Sequence, residues 1–248
     1  MPKDPEKAIA DGKFHTYLDM ATVRKPENVS SIYKPNLRIM VVEKGQLKFV
    51  QFFESKNAMV EPTCEQLYRW KQAGHVVQVI CLDNAGENQL LQKQSESADW
   101  KLRIEYEFMA HATPQQNSLA EVGIATLANR VRAMMHHANV PAEYRFKLFR
   151  DCYKTAALLD GLMMAEVEGK LASHFEHFAG KNPKCANHLR TWGAAGTVKL
   201  HNKMALKLGD RGVTCMMIGY PKDHTGDCYR MWDKNTGAVH VTRDVTWL

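Results

Sequence analysis

The run His75-Val-Val-Gln-Val-Ile-Cys-Leu82 ends abruptly in Asp83-Asn84-Ala85-Gly86. β-Branched and apolar residues closed by an Asp-Asn-x-Gly turn predict a buried strand with a carboxylate at its tip. Farther on, Thr113-Pro-Gln-Gln-Asn117 is a polar, proline-marked entry to a long helical segment, and Glu121 falls in that helix's first turns. The chain between the two acids is long enough for a helix, a strand and a loop. A strand tip and a returning helix can therefore aim both carboxylates at one point. Two hard oxygen ligands, completed by water and phosphate, suit Mg²⁺. The pair is a candidate for metal-assisted phosphoryl transfer; the plainer alternative is that Asp83 only forms its turn, a frequent structural use of Asp.

The rest of the pattern is mixed α/β. Residues 1–12 are charged and proline-containing, a solvated lead-in without the apolar stretch of a signal peptide. Phe14-His-Thr-Tyr-Leu-Asp19-Met alternates as a strand with an acid near its end. Leu37–Glu43 and Leu47–Phe53 are two further strands, joined by a Lys44-Gly-Gln46 hairpin turn. Met59, Val60, Cys64, Leu67 and Trp70 have helical spacing, and Gly74 closes that helix. Leu90–Gln94 predicts a short helix and Leu102–Glu107 a short strand. Two amphipathic helices follow, one from Asn117 to about His137 and one beginning at Pro141. Gly180-Lys-Asn-Pro183 breaks the helical region, and short β-rich runs then occupy 189–200, 215–220, 228–232 and 238–245. The expected organisation is a core over 13–165, a linker over 166–183 and a small β-rich module over 184–248.

Composition narrows the function only a little. The 45% hydrophobic content supports a packed core, and no stretch approaches the roughly 20 apolar residues of a membrane span. Six cysteines lie without a C-x-x-C pair, which favours buried free thiols in a reducing compartment. A net charge of +6 permits a polyanionic partner without demanding one. His136-His137 and His174-x-x-His177 lack cysteine partners at zinc-finger spacing, which argues against zinc there.

Several motifs, in order, carry a resemblance. Asp83-Asn-Ala-Gly-Glu-Asn88, Thr113-Pro-Gln-Gln-Asn-Ser-Leu-Ala-Glu121, Asn187-His-Leu-Arg-Thr-Trp-Gly193, Cys215-Met-Met-Ile-Gly-Tyr220 and Thr242-Arg-Asp-Val-Thr-Trp-Leu248 are similar to the integrases of copia-type (Pseudoviridae) long-terminal-repeat retrotransposons, a branch of the retroviral integrase family. The resemblance runs from about Phe14 to the last residue. It implies a ribonuclease H-like fold followed by a small C-terminal β-rich module. It further implies a catalytic and metal-binding triad of Asp19, Asp83 and Glu121, with Asp11 and Glu43 as neighbouring acids that compete with Asp19 for the first place. By the same resemblance the triad holds two Mg²⁺ or Mn²⁺ ions for in-line displacement at phosphorus. Water would trim the ends of the element's DNA, and the 3′-hydroxyl so formed would attack target DNA.

Implied partners are DNA and further copies of the chain, with no membrane, in the nucleus after a cytoplasmic stage in virus-like particles. Asn84, Gln116, Arg130 and Arg132 are candidate DNA contacts, against cap or solvated-face roles for the same residues. The sequence also departs from the family. It has no room before Phe14 for a His-His-Cys-Cys zinc-binding domain, and Glu121-Val-Gly-Ile-Ala-Thr126 lacks the basic residues usual after the third acid. Two other classes therefore stand beside the transferase. One is an inert DNA-binding remnant; the other is a ribonuclease H-like nuclease that cuts without joining.

Overall fold

A computed structural model describes residues 15–24, 27, 34–109, 118–199 and 212–248. The expected lead-in (1–12) and Gln116 lie outside the described residues. Strand β1 (His15–Thr22) pairs antiparallel with β2 (Asn36–Val42), and β2 pairs antiparallel with β3 (Lys48–Phe53). On its other side β1 runs parallel to β4 (Val79–Asp83), which runs parallel to β5 (Glu105–Met109). The sheet order is thus β3-β2-β1-β4-β5, with β1 in the middle. An antiparallel meander of three strands extended by two parallel ones is the ribonuclease H-like arrangement.

Period-two alternation gives each strand two faces. Leu18, Met40, Ile80 and Leu82 point to one face and pack with Cys64, Leu67 and Trp70 of helix α1 (Val60–Gln72) and Leu91 of α2 (Gly86–Ser95). Arg38 shares this face and is fully buried. Its guanidinium donates to Thr63 Oγ1 at 2.5 Å and to Gln66 Oε1, and lies 5.8 Å from the Phe53 ring centre. Burial lowers its pKa to about 9.

The opposite face meets helix α3 (Ser118–His137). A Cβ on Gly123 would stand 3.0 Å from Ile39 Cδ1 and 3.2 Å from Val41 Cγ2, so the helix backbone lies close on the sheet here. Ile39 is the cross-strand partner of Asp19.

Neighbours, more than propensity, set the strand limits. β4 was expected from His75 but begins at Val79, the first residue that both β1 and β5 reach. His75 instead stacks on Phe178, with ring centres 4.5 Å apart. Leu102 and Ile104 are buried in the core outside any strand, so β5 starts later than the pattern suggested. The Lys44–Gln46 turn forms as expected. Gly45 has φ +79°, and any Cβ there would strike His177.

The expected linker over 166–183 is folded. β6 (Met164–Val167) and β7 (Lys170–Ser173) form a hairpin, and α5 (His174–Ala179) follows behind a Ser173–Glu176 capping box. His174 Nδ1 meets Gly45 O, and His177 Nε2 lies 2.9 Å from Ala165 O, so both rings are tied to backbone carbonyls. Contacts divide the chain into one unit of residues up to 127 with 163–180, and another of 128–162 with 181–248. In the second unit an antiparallel sheet of order β11-β10-β9-β8-β12 is built from β8 (Ala195–Lys199), β9 (Gly212–Gly219), β10 (Tyr229–Trp232), β11 (Val239–Thr242) and β12 (Val245–Trp247).

That sheet is joined to α4 (Ala142–Gly161) by Thr155 Oγ1 donating to Ile218 O at 3.3 Å, by Arg230 on Asp151 at 3.0 Å, and by Tyr144 edge-on to Trp232. The β-rich stretch therefore does not stand apart from the helices, as a boundary at 184 would have it. Its buried face needs α4.

Replacing Gly123 by Val should overpack the helix–sheet contact and lower unfolding free energy by about 1–3 kcal/mol. Urea denaturation measures this, and an unchanged midpoint would refute the close approach.

Candidate active site

Parallel pairing of β1 and β4 matches Tyr17 with Cys81, where the ladder ends. Both strands continue, and two residues on, along the same face, stand Asp19 and Asp83. Neighbouring strands lie about 4.8 Å apart, so the two acids stand side by side across the sheet, Asp83 as the last residue of β4 and Asp19 three residues before the end of β1. Crevices outside the carboxyl ends of strands such as β4 are where open α/β sheets bind ligands. Glu121 is exposed in the first turn of α3, two residues before the close approach of Gly123 to Asp19's cross-strand partner.

The electrostatics join all three. Burial raises the Asp19 carboxyl above the usual carboxylate range, and the charges of Asp83 and Glu121 raise it further. The Met20 N–H, donating to Asp19 Oδ1 at 2.7 Å, and the Lys56 ammonium oppose the rise. Asp19 is half-buried while Asp83 and Glu121 are exposed, and three carboxylates are an all-oxygen donor set of the kind a divalent cation takes. The donor chemistry suits a hard ion, but among the described residues these three carboxylates are not gathered within 4.8 Å of one another.

Asn88 is the contributor that sequence reasoning passed over. It is buried, and its amide donates to both Asp83 O at 3.2 Å and Asp83 Oδ1 at 2.5 Å, fixing the carboxylate's orientation. Its place in the Asp83-to-Asn88 motif, five residues on, was the available signal. The Ala85 N–H also donates to Asp83 Oδ1, at 3.3 Å. Glu87 is drawn to Lys56 at 3.3 Å. Glu43 accepts from the His15 N–H at 3.3 Å and lies 3.0 Å from His15 Nδ1, which gives it a partner other than the triad.

Among the DNA-contact candidates, Asn84 is exposed and its Oδ1 accepts from Gln89 Nε2 at 2.8 Å. In the second unit Arg130 pairs with the buried carboxylate of Asp160 at 2.8 Å, while Arg132 is exposed and donates to Asn129.

Comparison with known proteins gives the geometry a context. Residues 196–248 match the family described as Retroviral polymerase SH3-like domain. The Retrovirus-related Pol polyprotein from transposon TNT 1-94 of Nicotiana tabacum is 25% identical over 198 residues, covering 79% of this chain. The chain resembles the integrases of copia-type retrotransposons. It spans 13% of the length of that polyprotein. The HTLV-2 integrase catalytic core domain in complex with magnesium is similar at a TM-score of 0.46 and 11% identity, over 66% of this chain and 95% of that one. A simian T-cell lymphotropic virus intasome chain is similar at 0.45 and 12% identity, over 94% of this chain and 75% of its own. The matched SH3-like stretch coincides with β8–β12 of this copia-like chain.

An acid with a raised pKa in the folded state keeps its proton there to higher pH than when unfolded. Stability then falls as pH climbs from the ordinary carboxylate range through the raised value, and stays lowered above it. In metal-free buffer Asp19→Asn should melt level with wild type below this window and higher above it. Calorimetric scans across pH check the crossing; parallel curves would remove Asp19 from the charged cluster.

Proposed function

We propose that this chain is the catalytic core and C-terminal module of a retrotransposon integrase, a polynucleotidyl transferase that processes element DNA ends and joins them to target DNA. The observation that supports the proposal is the charge of Asp83 and Glu121 acting on the half-buried Asp19 carboxyl, with Asp19 and Asp83 side by side on two parallel strands. Asp19, Asp83 and Glu121 would hold the divalent cations, Mg²⁺ or Mn²⁺ and two in number. When bound, the metal supplies Lewis-acid activation of the attacking oxygen and charge stabilisation at the leaving oxygen.

The chain's own groups do the rest. Asn88 holds Asp83 in one orientation, and Lys56 offsets part of the negative charge around Asp19. β1 and β4 set the spacing of two acids with rigid backbone, and α3 brings the third. The proposed partners are element-end and target DNA together with further copies of the chain, acting in the nucleus after a particle stage. Asn84 and Arg132, both exposed, are the proposed DNA contacts; Arg130 is committed to Asp160 and serves chiefly to hold the second unit.

The deciding experiment uses a labelled branched DNA substrate with Mg²⁺ or Mn²⁺. Wild type should cleave and join, and Asp83→Asn and Glu121→Gln should each lose at least about a hundredfold in rate, the equivalent of a few kcal/mol of barrier. Cleavage without joining would favour a plain nuclease; a folded protein with no metal-dependent activity would favour the inert remnant.

The two arginines should separate as well. Arg130→Ala should lose about 1.5–3 kcal/mol of stability. Arg132→Gln should fold normally but lower the slope of log affinity against log salt by about 1. Matching behaviour of the two variants would refute this division.

A further inference from the structure

A second cluster of donors crosses the same sheet face, one step inside the acid triad. Glu43, His15, Cys81 and Glu107 come from four successive positions in the sheet: the end of β2, then β1, β4 and β5. A His15 ring nitrogen, Cys81 Sγ and a Glu107 carboxylate oxygen all lie within 4.8 Å of one another, and no other trio among the described residues is drawn together in this way. His15 and Cys81 are buried and Glu107 is half-buried. Glu43 grips the His15 ring at Nδ1, 3.0 Å away.

The geometry points to a binding site for a thiophilic divalent cation of the zinc class, with His15, Cys81 and Glu107 as ligands and Glu43 orienting the histidine. Nitrogen, thiolate and carboxylate oxygen are the donors zinc takes, and three protein ligands leave one place for water. Donor atoms around a tetrahedral zinc stand roughly 3.5 Å apart. Cys81 Sγ and Glu107 Oε2 already have that spacing, at 3.5 Å, so only the remaining distances must close. A carboxylate on the far nitrogen of a metal-binding histidine is the usual outer partner, fixing tautomer and ring angle. Sulfur and imidazole also separate this site from the neighbouring triad, whose donors are all oxygen and suit Mg²⁺. The site does not depend on the integrase reading, since none of its ligands belongs to the triad.

The test is titration of the metal-free 248-residue chain with Co²⁺ in excess Mg²⁺, following the thiolate-to-cobalt charge-transfer absorption. One equivalent should produce the band, Zn²⁺ should abolish it, and Asp83→Asn with Glu121→Gln should leave it in place. Cys81→Ser should remove the band, and Glu43→Gln should weaken Co²⁺ binding about 10–100-fold. Glu107→Gln, at a half-exposed position, is the second arm should Cys81→Ser not fold, and at least about a tenfold loss is expected. Absence of the band in folded wild type overturns the site. So does a band that survives Cys81→Ser, or one that Glu107→Gln leaves unchanged.

Discussion

Everything at the candidate site depends on β1 lying between an antiparallel and a parallel neighbour. Its antiparallel side aligns Asp19 with Ile39, against which α3 packs through Gly123. Its parallel side places Asp19 level with Asp83 two residues beyond the last paired position. One strand thus fixes two of the three acids by backbone pairing and the third by the seat it provides for a helix. The arrangement works against folding at Asp19, whose half-buried carboxyl ionises less readily beside Asp83 and Glu121. A stable ladder on both sides of β1 and the amide of Asn88 hold the carboxylates where repulsion would otherwise part them.

The same geometry explains what was legible in the sequence. Asp83 at a strand tip and Glu121 near a helix start follow from local chemistry, an Asp-Asn-x-Gly turn and a polar helix entry, and both stand where those signals put them. The Lys44–Gln46 hairpin was equally local. Asp19 was different. Its strand was readable, but its nearness to Asp83 is a matter of sheet order, which periodicity does not encode. The linker expectation failed for a related reason. Short polar stretches such as 166–173 look like connections until a partner strand and a buried histidine on a distant turn hold them. The row of Glu43, His15, Cys81 and Glu107 had no sequence signal, because its members are separated by more than twenty residues at each step and meet only through register.

In the second unit aromatic and cationic side chains share the work. Lys147 lies 5.6 Å from the ring centre of Trp232, Lys234 5.4 Å from that of Tyr144, and Arg190 5.4 Å from that of Trp247. Each such contact is worth about 0.5–1 kcal/mol where exposed. Basic residues counted in the net charge are therefore partly engaged in holding the fold, and the excess of +6 overstates what is free to meet a polyanion.

Two donor sets on one sheet face raise a question of selectivity, which donor chemistry answers. Along β1 the face presents His15, Tyr17 and Asp19 in turn, and along β4 Cys81 and Asp83. Asp19 and Asp83 offer oxygen donors on the more exposed part of the face, whereas the sulfur of Cys81 and the imidazole of His15 stand one step inward and are buried. A Mg²⁺ ion gains little from the sulfur and nitrogen of the inner row, because it prefers oxygen and retains its waters. A zinc-class ion would bind the inner row by softness rather than by charge. Tyr17, half-buried between the two rows, has its hydroxyl held well above the usual range by burial first and then by Glu43, Cys81 and Glu107. It therefore stays neutral and adds no charge between the two rows, so on the proposed reading softness of the donors rather than charge would sort the two classes of cation.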